Sequence, residues 1–557
     1  MIIMNPLQKF YGECEEIAGK HASLLEKPKH FGDLALPCFS LAKEFRRNPI
    51  EIASELASVF SESTGGLVKE VRAIGPYVNF YINEKEFGKL VLKQVLKEKK
   101  KYGSAKNKGK IMVEYAHPNT HKLFHIGHLR NIITGEALSR ILSFSGFKVI
   151  RANYQGDIGM HIAKCMWGIK KLGMKKFKTI DDKIKFLGKA YAIGSGSFES
   201  DENAKKEITV LNEMMYKKDK KIMKLWKETR QWSLAYFDKI YKRVYTKFDK
   251  LYFESQVFDS GLKIAKILVK KGILENSEGA IIFNGEKYGL DKRVFVNQLG
   301  FPTYEAKELG LAEKEFSDNK PDKAIHLTGP EQASFFNVTI KVEELMNPKK
   351  FTGKQKHLIY GWVKLKEGKM SSRLGNVVEG EWLLNELKKN VLEKYVNEKK
   401  LSLKKKDELA ESIAISAAKY YFLRHGMPIE ISFDIDEAVS LEGDTGPYLQ
   451  YTYARAGSVL RKSKKKPVIG ELDDEETAII KKIAEFPDII TKTVNELKPN
   501  LLANYLSELC LLFNEYYQNI RIIESAKEAE RLALVQSLKQ VMENGLELLG
   551  IKTIEKM

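Results

Sequence analysis

Two histidines, His125 and His128, stand three residues apart around Gly127. Further on, Lys369-Met370-Ser371-Ser372-Arg373 follows Gly368 and precedes Gly375-Asn376. Both sets suit a nucleoside triphosphate. Residues three apart share one face of a helical turn. A glycine lets a ligand approach the backbone closely. A helix N-terminus attracts phosphate through its free N–H groups and its dipole. Imidazole N–H donors placed there can stabilise charge growing on an α-phosphate. The second run supplies a mobile lysine charge, a planar arginine fork and two hydroxyls. Its small residues suit a loop that closes on a transition state. The expected nucleotide site is His125, Gly127, His128, Lys369, Met370, Ser371 and Ser372, with catalytic work on His125, His128 and Lys369.

The elements that must position these groups are legible around them. Ile111-Met112-Val113-Glu114-Tyr115 is a buried-strand run, and a helix after Pro118 carries Leu129, Ile132, Ile133, Ala137 and Ile141. Lys148–Tyr154 reads as the next strand. Strand, helix, strand in about 45 residues is the βαβ unit of a doubly wound α/β domain, and the histidines fall at its strand-to-helix turn. Residues 170–250 read as a helical, lysine-rich insertion, and strand-like runs return at Ala280–Phe283, Arg293–Val296 and Ala324–Leu327. Upstream, Asn48-Pro49 opens a helix with Ile52, Leu56 and Phe60 on one face, and two strands flank Gly75-Pro76. Lys99 to Gly109 reads as a linker. Past residue 400 the pattern is helical: Asp473 and Glu476 have capping-box spacing, and Leu502, Leu506, Leu509 and Phe513 line one face. The expected division is 1–105, 106–400 with the insertion near 170–250, and 401–557. The fold expected is multidomain: a small α+β unit, a Rossmann-like α/β domain and an all-α domain.

A chain of 557 residues is too long for one core. Its 93 basic against 73 acidic residues leave a formal charge of +20, which points to a polyanion partner, RNA first. Cys14, Cys38, Cys165 and Cys510 form no Cys-x-x-Cys pair, against a zinc site or disulfide framework and for a reducing compartment. The start is too soon interrupted for a signal peptide, and no apolar run approaches the roughly 20 residues of a membrane span. A cytoplasmic protein with no metal site of its own is expected.

The two motifs resemble the paired signatures of class I aminoacyl-tRNA synthetases. The class pattern for the second is Lys-Met-Ser-Lys-Ser; here Ser372 replaces the second lysine, with Arg373 as its substitute. The chain resembles arginyl-tRNA synthetase nearly end to end. Gly32-Asp33-Leu34-Ala35 through Asn48-Pro49, with Gly75-Pro76-Tyr77-Val78-Asn79-Phe80, carries it at the N-terminus. Val113 to Asn119 leading into His125 to Arg130, then Phe253-Glu254-Ser255, carry it in the middle. So do Pro302-Thr303-Tyr304 with Lys307-Glu308, and Gly329-Pro330-Glu331-Gln332. Gly443 to Tyr451 with Ala454-Arg455 carries it at the C-terminal end. The resemblance implies that Glu114 and Asn119 bind the α-amino and carboxylate end of arginine, while Tyr304, Glu308 and Gln332 surround its side chain. A carboxylate can make two parallel charge-assisted bonds to a guanidinium. Spacing alone would fit Glu308 to the exposed face of a Lys/Glu-rich helix. Three further positions depart from the family: Lys307-Glu308 for Arg-Asp, Phe335 for a frequent histidine, and His161 for a frequent glutamine.

The implied reaction is attack of the arginine carboxylate on the α-phosphorus of ATP, then transfer to the terminal adenosine of tRNA(Arg), driven by positioning and electrostatics. Mg²⁺ should accompany ATP. Bound tRNA should be needed before activation. The N-terminal unit would touch the outer corner of the tRNA and the C-terminal helices would read the anticodon, through Tyr448, Tyr451 and Arg455. A monomer is expected. Two alternatives stand beside this. Another class I synthetase is disfavoured by the missing Cys/His zinc set of cysteinyl enzymes and by Glu308, which does not suit an acidic substrate. A non-catalytic tRNA-binding paralogue would have lost the ATP signatures.

Overall fold

The computed structural model describes residues 5–28, 30–366 and 378–557. Its first unit has helices α1 (Pro6–Ala18), α2 (Phe39–Phe45), α3 (Pro49–Ser61) and α4 (Glu84–Glu98). Asn5, Asn48 and Asn83 each accept a first-turn backbone N–H, and Pro6 and Pro49 follow two of them with φ already fixed. Against these helices lies an antiparallel sheet of β1 (Leu34–Pro37), β2 (Val68–Ile74) and β3 (Tyr77–Ile82), in the order β1-β3-β2. The stretch expected as a linker is packed instead. Lys99–Lys101 form one 3₁₀ turn, and Tyr102 is fully buried with its hydroxyl donating to the Ile483 carbonyl at 3.1 Å. Burying an aromatic ring outweighs the freedom of a short loop.

From residue 110 strands and helices alternate. β4 (Lys110–Glu114), α5 (Ile126–Phe144) and β5 (Lys148–Gln155) come first. Four helices follow, α6 (Met160–Leu172), α7 (Ile180–Ser200), α8 (Glu202–Tyr216) and α9 (Lys220–Arg243), before β6 (Lys250–Phe253) and α10 (Glu254–Lys270). The lysine-rich insertion is therefore the crossover from β5 to β6. A small antiparallel sheet comes next, of β7 (Glu275–Ser277), β8 (Ala280–Phe283) and β9 (Arg293–Val296). Two of the expected strand runs thus belong to this hairpin-linked sheet, while the third lies in the main one. Then come α11 (Tyr304–Asn319), β10 (Lys323–Thr328), α12 (Ala333–Met346), α13 (Pro348–Phe351) and β11 (Gln355–Ile359). The main sheet is parallel throughout, in the order β11-β10-β4-β5-β6. The direction of winding reverses between β4 and β10. Ligands of such sheets bind at the strand C-termini beside that reversal.

The chain continues through β12 (Val363–Leu365), α14 (Gly380–Val391), α15 (Leu403–Leu423), β13 (Ile431–Phe433) and α16 (Ile435–Ala438), with β13 parallel to β12. It ends in α17 (Gly446–Lys462), α18 (Asp474–Glu496), α19 (Asn500–Asn519) and α20 (Glu528–Leu548). The Asp473–Glu476 capping box opens α18, and Leu502, Leu506, Leu509 and Phe513 are all buried in α19.

Helix α5 sits between these parts, touched by the sheet on one side and by α14, α15, α18 and α20 on others. A helix enclosed all round must pair its polar side chains internally. Arg130 donates to the carbonyls of Gly361 (2.6 Å), Ile429 (2.9 Å) and Met427 (3.0 Å). Burial lowers its pKa to about 10. Glu136 accepts from the Tyr115 hydroxyl (2.8 Å), Arg140 (2.7 Å) and Arg151 (3.1 Å). Arg130→Leu strips three carbonyls of their donor, at about 1–3 kcal/mol each. The expected outcome is a melting midpoint lower by several degrees in a thermal scan; an unchanged midpoint would mean that the guanidinium holds nothing together.

Candidate active site

The reversal point between β4 and β10 opens into a cavity of about 370 Å³. Glu114, Asn119, His125, His128, Tyr304, Glu308 and Gln332 line it together. Gly127 lies between the two histidines in the first turn of α5. Lys369, Met370, Ser371 and Ser372 lie outside the described residues. Their flank is placed: Val378 accepts from Ile126 N at 2.9 Å, and Gly380 N donates to Phe124 at 2.9 Å, so the chain just past the second motif runs beside the first.

Where β4 ends, the backbone is strained. Ala116 and His117 hold φ of 84° and 48°, costs of about 1–3 kcal/mol apiece for residues other than glycine. Asn131 on α5 fixes the bend. Its Oδ1 accepts from Ala116 N at 2.6 Å and its Nδ2 donates to the Leu327 carbonyl of β10 at 2.7 Å. Past the bend, Thr120 N donates to Gly156 at 2.8 Å. A Cβ on Gly156 would stand 2.0 Å from Asn119 Oδ1, so only glycine leaves room for that side chain.

His125 caps α5 and His128 occupies its first turn, with ring centroids 3.7 Å apart. The His125 N–H donates to His128 Nδ1 at 3.2 Å. Nδ1 as acceptor leaves the proton on Nε2, a neutral donor. Burial, then the Lys122 charge, lowers the His125 pKa to about 4; burial and His125 itself hold His128 well below its ordinary value. A Cβ on Gly127 would meet the His125 ring at 3.0 Å, so this glycine makes room for the imidazole as well as for a ligand.

The opposite side of the cavity is acidic. Glu114 accepts from His326 Nδ1 at 2.7 Å and lies 3.4 Å from His117 Nδ1. Burial raises its pKa, but the two imidazoles more than offset that and hold it below the usual carboxylate value. Glu308 is 5% exposed rather than on a free helix face. Lys307, its neighbour in sequence, turns to Glu254 at 3.2 Å. The strongest charged neighbours of Glu308 are Glu114, Glu343, Glu254 and Glu305, all carboxylates. Burial and these anions push its pKa well above the ordinary value. Tyr304 stands at the mouth, 59% exposed, and Phe335 forms wall. His161 is neither at the surface nor on the wall: it is buried, with Nε2 lacking a partner among the described residues.

A second cavity of about 1000 Å³ opens in the C-terminal helices. Tyr451 and Arg455 line it with Tyr517, Arg521, Lys556 and Met557. Arg455 lies over the rings of Tyr451 (4.6 Å) and Tyr517 (5.0 Å). Tyr448 does not line it; its hydroxyl accepts from Asn514 at 2.8 Å between helices.

Sequence reading gave no role to His117, Lys122, Tyr154 or His326. Lys122 lies over the Tyr191 ring and acts on His125, His128 and His161. Its place three residues before His125 was the only available signal. His326 is one residue of an apolar strand, and nothing local marks it.

Residues 91–434 match the family described as tRNA synthetases class I (R), catalytic domain. Residues 449–557 match the DALR anticodon binding domain, and residues 3–82 the arginyl tRNA synthetase N terminal domain. Arginine–tRNA ligase 2 of Bacillus anthracis is 33% identical over 550 residues, covering 96% of this chain and 95% of its own. The arginine–tRNA ligase of Halothermothrix orenii is 34% identical over 557 residues, covering 98% and 96%. Among solved structures, the Thermus thermophilus arginyl-tRNA synthetase superposes with a TM-score of 0.80 at 24% identity, over 98% of this chain and 100% of the other, which is a likeness of fold.

The His125 shift has a measurable consequence. With its pKa lowered from 6.5 to about 4, His125 is neutral at pH 7 and takes a proton only as the pH falls toward 4. The ¹³Cε1 signal of labelled His125 is expected to titrate near that value, and Lys122→Ala to move the midpoint upward. A midpoint near 6.5 in the wild-type protein would mean that neither burial nor Lys122 acts on this imidazole.

Proposed function

The chain belongs to the arginyl-tRNA synthetase family, and we propose that the cleft between β4 and β10 is where it activates arginine with ATP. The activity is that of an arginine–tRNA ligase, which consumes ATP and esterifies tRNA with arginine. The observation that carries the assignment of the cleft is Glu308, a buried carboxylate whose strongest charged neighbours among the described residues are all carboxylates. A buried charge without a counter-charge is costly, and burial with these anions raises the Glu308 pKa. A guanidinium entering the cleft reverses this. It favours the ionised form and pairs with both oxygens at once, which lysine or a neutral isostere cannot do.

On this reading Tyr304 and Gln332 enclose the arginine side chain, and Glu114 and Asn119 take its α-amino and carboxylate end. Arginine brings two cationic ends, guanidinium and ammonium; of the four carboxylates that line the cleft, Glu114, Glu254, Glu308 and Glu331, Glu254 is engaged by Lys307, and Glu308 and Glu114 are the pair that meets them. His125 and His128, neutral and donating, meet the α-phosphate of ATP at the start of α5, with Gly127 between them and Lys122 as an adjoining cation. Lys369 with Met370, Ser371 and Ser372 receives the departing pyrophosphate, Arg373 assisting. Magnesium comes with ATP, held by phosphate oxygens and water. The acidic cluster that could bind a metal among the described residues, Asp473, Glu475 and Glu476, caps α18 and does not line the cleft.

For tRNA(Arg), residues 1–105 meet the outer corner, residues 106–400 hold the chemistry and residues 401–557 read the anticodon. Tyr451 and Arg455 offer a stacking platform and a cation in the C-terminal cavity, and Tyr448 supports them from behind. Bound tRNA precedes arginine activation. Among the described residues no helix is long and apolar enough to cross a membrane. All four cysteines are free and buried, which fits a reducing, cytoplasmic compartment, and the chain works as a monomer on this reading.

Aminoacylation of mixed tRNA with each of the twenty amino acids tests the assignment. Arginine alone should be charged. Glu308→Gln should lower kcat/KM for arginine by about a hundredfold or more, the loss expected when a buried ion pair is broken. Charging by this variant at the wild-type rate would remove Glu308 from the pocket. Lys369→Ala should slow charging more than Arg373→Ala does, and the reverse order would transfer the main phosphate role to Arg373.

A further inference from the structure

Running back from Glu114 in the cavity wall, four side chains from four elements form one hydrogen-bonded row. Glu114, ending β4, meets His326 Nδ1 of β10 at 2.7 Å. His326 Nε2 meets Gln355 Oε1 of β11 at 3.0 Å. Gln355 Nε2 donates to Glu343 Oε2 of α12 at 2.5 Å. His326 and Glu343 are each 1% exposed. Phe336, which lines the cavity, lies 5.2 Å from the His326 ring, and His326 itself is not part of the lining.

Counting protons shows what the row enforces. With Gln355 as placed, its carbonyl accepts from His326 Nε2, and Glu114, held below its ordinary pKa while that of His326 is raised, takes the Nδ1 proton as a hydrogen bond, so both ring nitrogens donate. With the amide turned over, a protonated Glu343 donates to Gln355, whose amide nitrogen donates to His326 Nε2. Burial pushes the Glu343 pKa up to about 8, so both arrangements are accessible near neutrality. In each of them Nδ1–H is donated to Glu114. Oε2 is therefore committed, and Oε1, beside His117, is left for a ligand.

We propose that His326 is a positioning residue for arginine, holding Glu114 ionised and fixed in direction from behind the pocket. This rests on the assignment of the cleft to arginine. Besides His326, the ionisable groups facing Glu114 are His117 on the loop after β4, Tyr154 on β5, Glu308 and Glu315 on α11, and Glu343 on α12. Three of these are carboxylates. Without His326, Glu114 would share its site with them and keep, among the described residues, His117 as its donor, so it would take up a proton at higher pH.

The test uses the full-length enzyme with His326→Leu and His326→Gln, measuring KM for arginine and for ATP from about pH 6 to 9. His326→Leu should raise KM for arginine about 10- to 100-fold, the range of a lost charged hydrogen bond, and change KM for ATP by less than about twofold. The ratio of mutant to wild-type KM for arginine should shrink as pH rises, because base restores the Glu114 charge. His326→Gln, which keeps an N–H donor, should recover part of the loss. An unchanged KM for arginine, or arginine and ATP constants that rise together at every pH, would overturn the proposal. A wild-type enzyme that fails to charge arginine would sink the cleft assignment, and this inference with it.

Discussion

The site depends on one amide. Asn131, enclosed in α5, bonds to the Ala116 N–H just past β4 and to the Leu327 carbonyl on β10. These are the two strands between which the sheet reverses its winding. Their C-terminal ends define the cleft, so this side chain sets both its width and the strained turn that brings His117 and Asn119 into it. The same helix begins with the two histidines. Nucleotide end and amino-acid end are thus referred to one rigid element, and enclosure on all sides keeps that element from moving independently.

The cleft is divided electrostatically. At the start of α5 stand a helix N-terminus, two neutral imidazoles and Lys122, which together favour phosphate oxygens. Across from them stand Glu114 and Glu308, with Glu315 and Glu343 buried behind. Lys307 would cancel part of this charge, but Glu254 engages it. The protein carries +20 overall and yet gathers carboxyl groups in a recess at the centre of its catalytic sheet, with Glu114 the one held below its ordinary pKa. A cationic amino acid and an anionic nucleotide are drawn to opposite ends of one cavity. Low dielectric around buried groups strengthens both attractions.

What was legible in the sequence was what local pattern encodes. The strand and helix around His125 and His128, the Asn-Pro helix start, the Gly75-Pro76 turn and the Asp473–Glu476 box all follow from spacing within a few residues. Tyr304 and Glu308, four apart, do line one cavity from one helix. What escaped was set by distant contacts. Lys307 and Glu308 look like a pair of helix-surface charges, but one reaches Glu254, which opens α10, and the other faces the cavity. Tyr102 looks like part of a loop until Phe486 and Ile483 cover it. His326 lies in an apolar strand whose partners come from residues 29 positions later and 212 earlier. Period and propensity carry no information about such partners.

The helix that orders the cleft also holds the far end of the molecule. Arg140, on α5, donates to the Glu547 carbonyl at 3.1 Å, and Lys419 of α15 donates to the Gly550 carbonyl at 2.6 Å. Both cations sit at the C-terminus of α20, where the helix dipole favours them. Burial and the Arg140 charge lower the Lys419 pKa to about 7, so its hold on that terminus is weakest in base, where it loses its charge. The tail leaving this anchor lines the C-terminal cavity with Glu555, Lys556 and Met557. Arg140 also pairs with Glu136, which accepts from Tyr115, the residue next to Glu114. Contacts therefore run without a break from the carboxylate proposed for arginine, through the pins of α5, to the tail beside Tyr451 and Arg455. Close-packed interiors transmit strain, and α5 is the element through which these two ends of the molecule are joined.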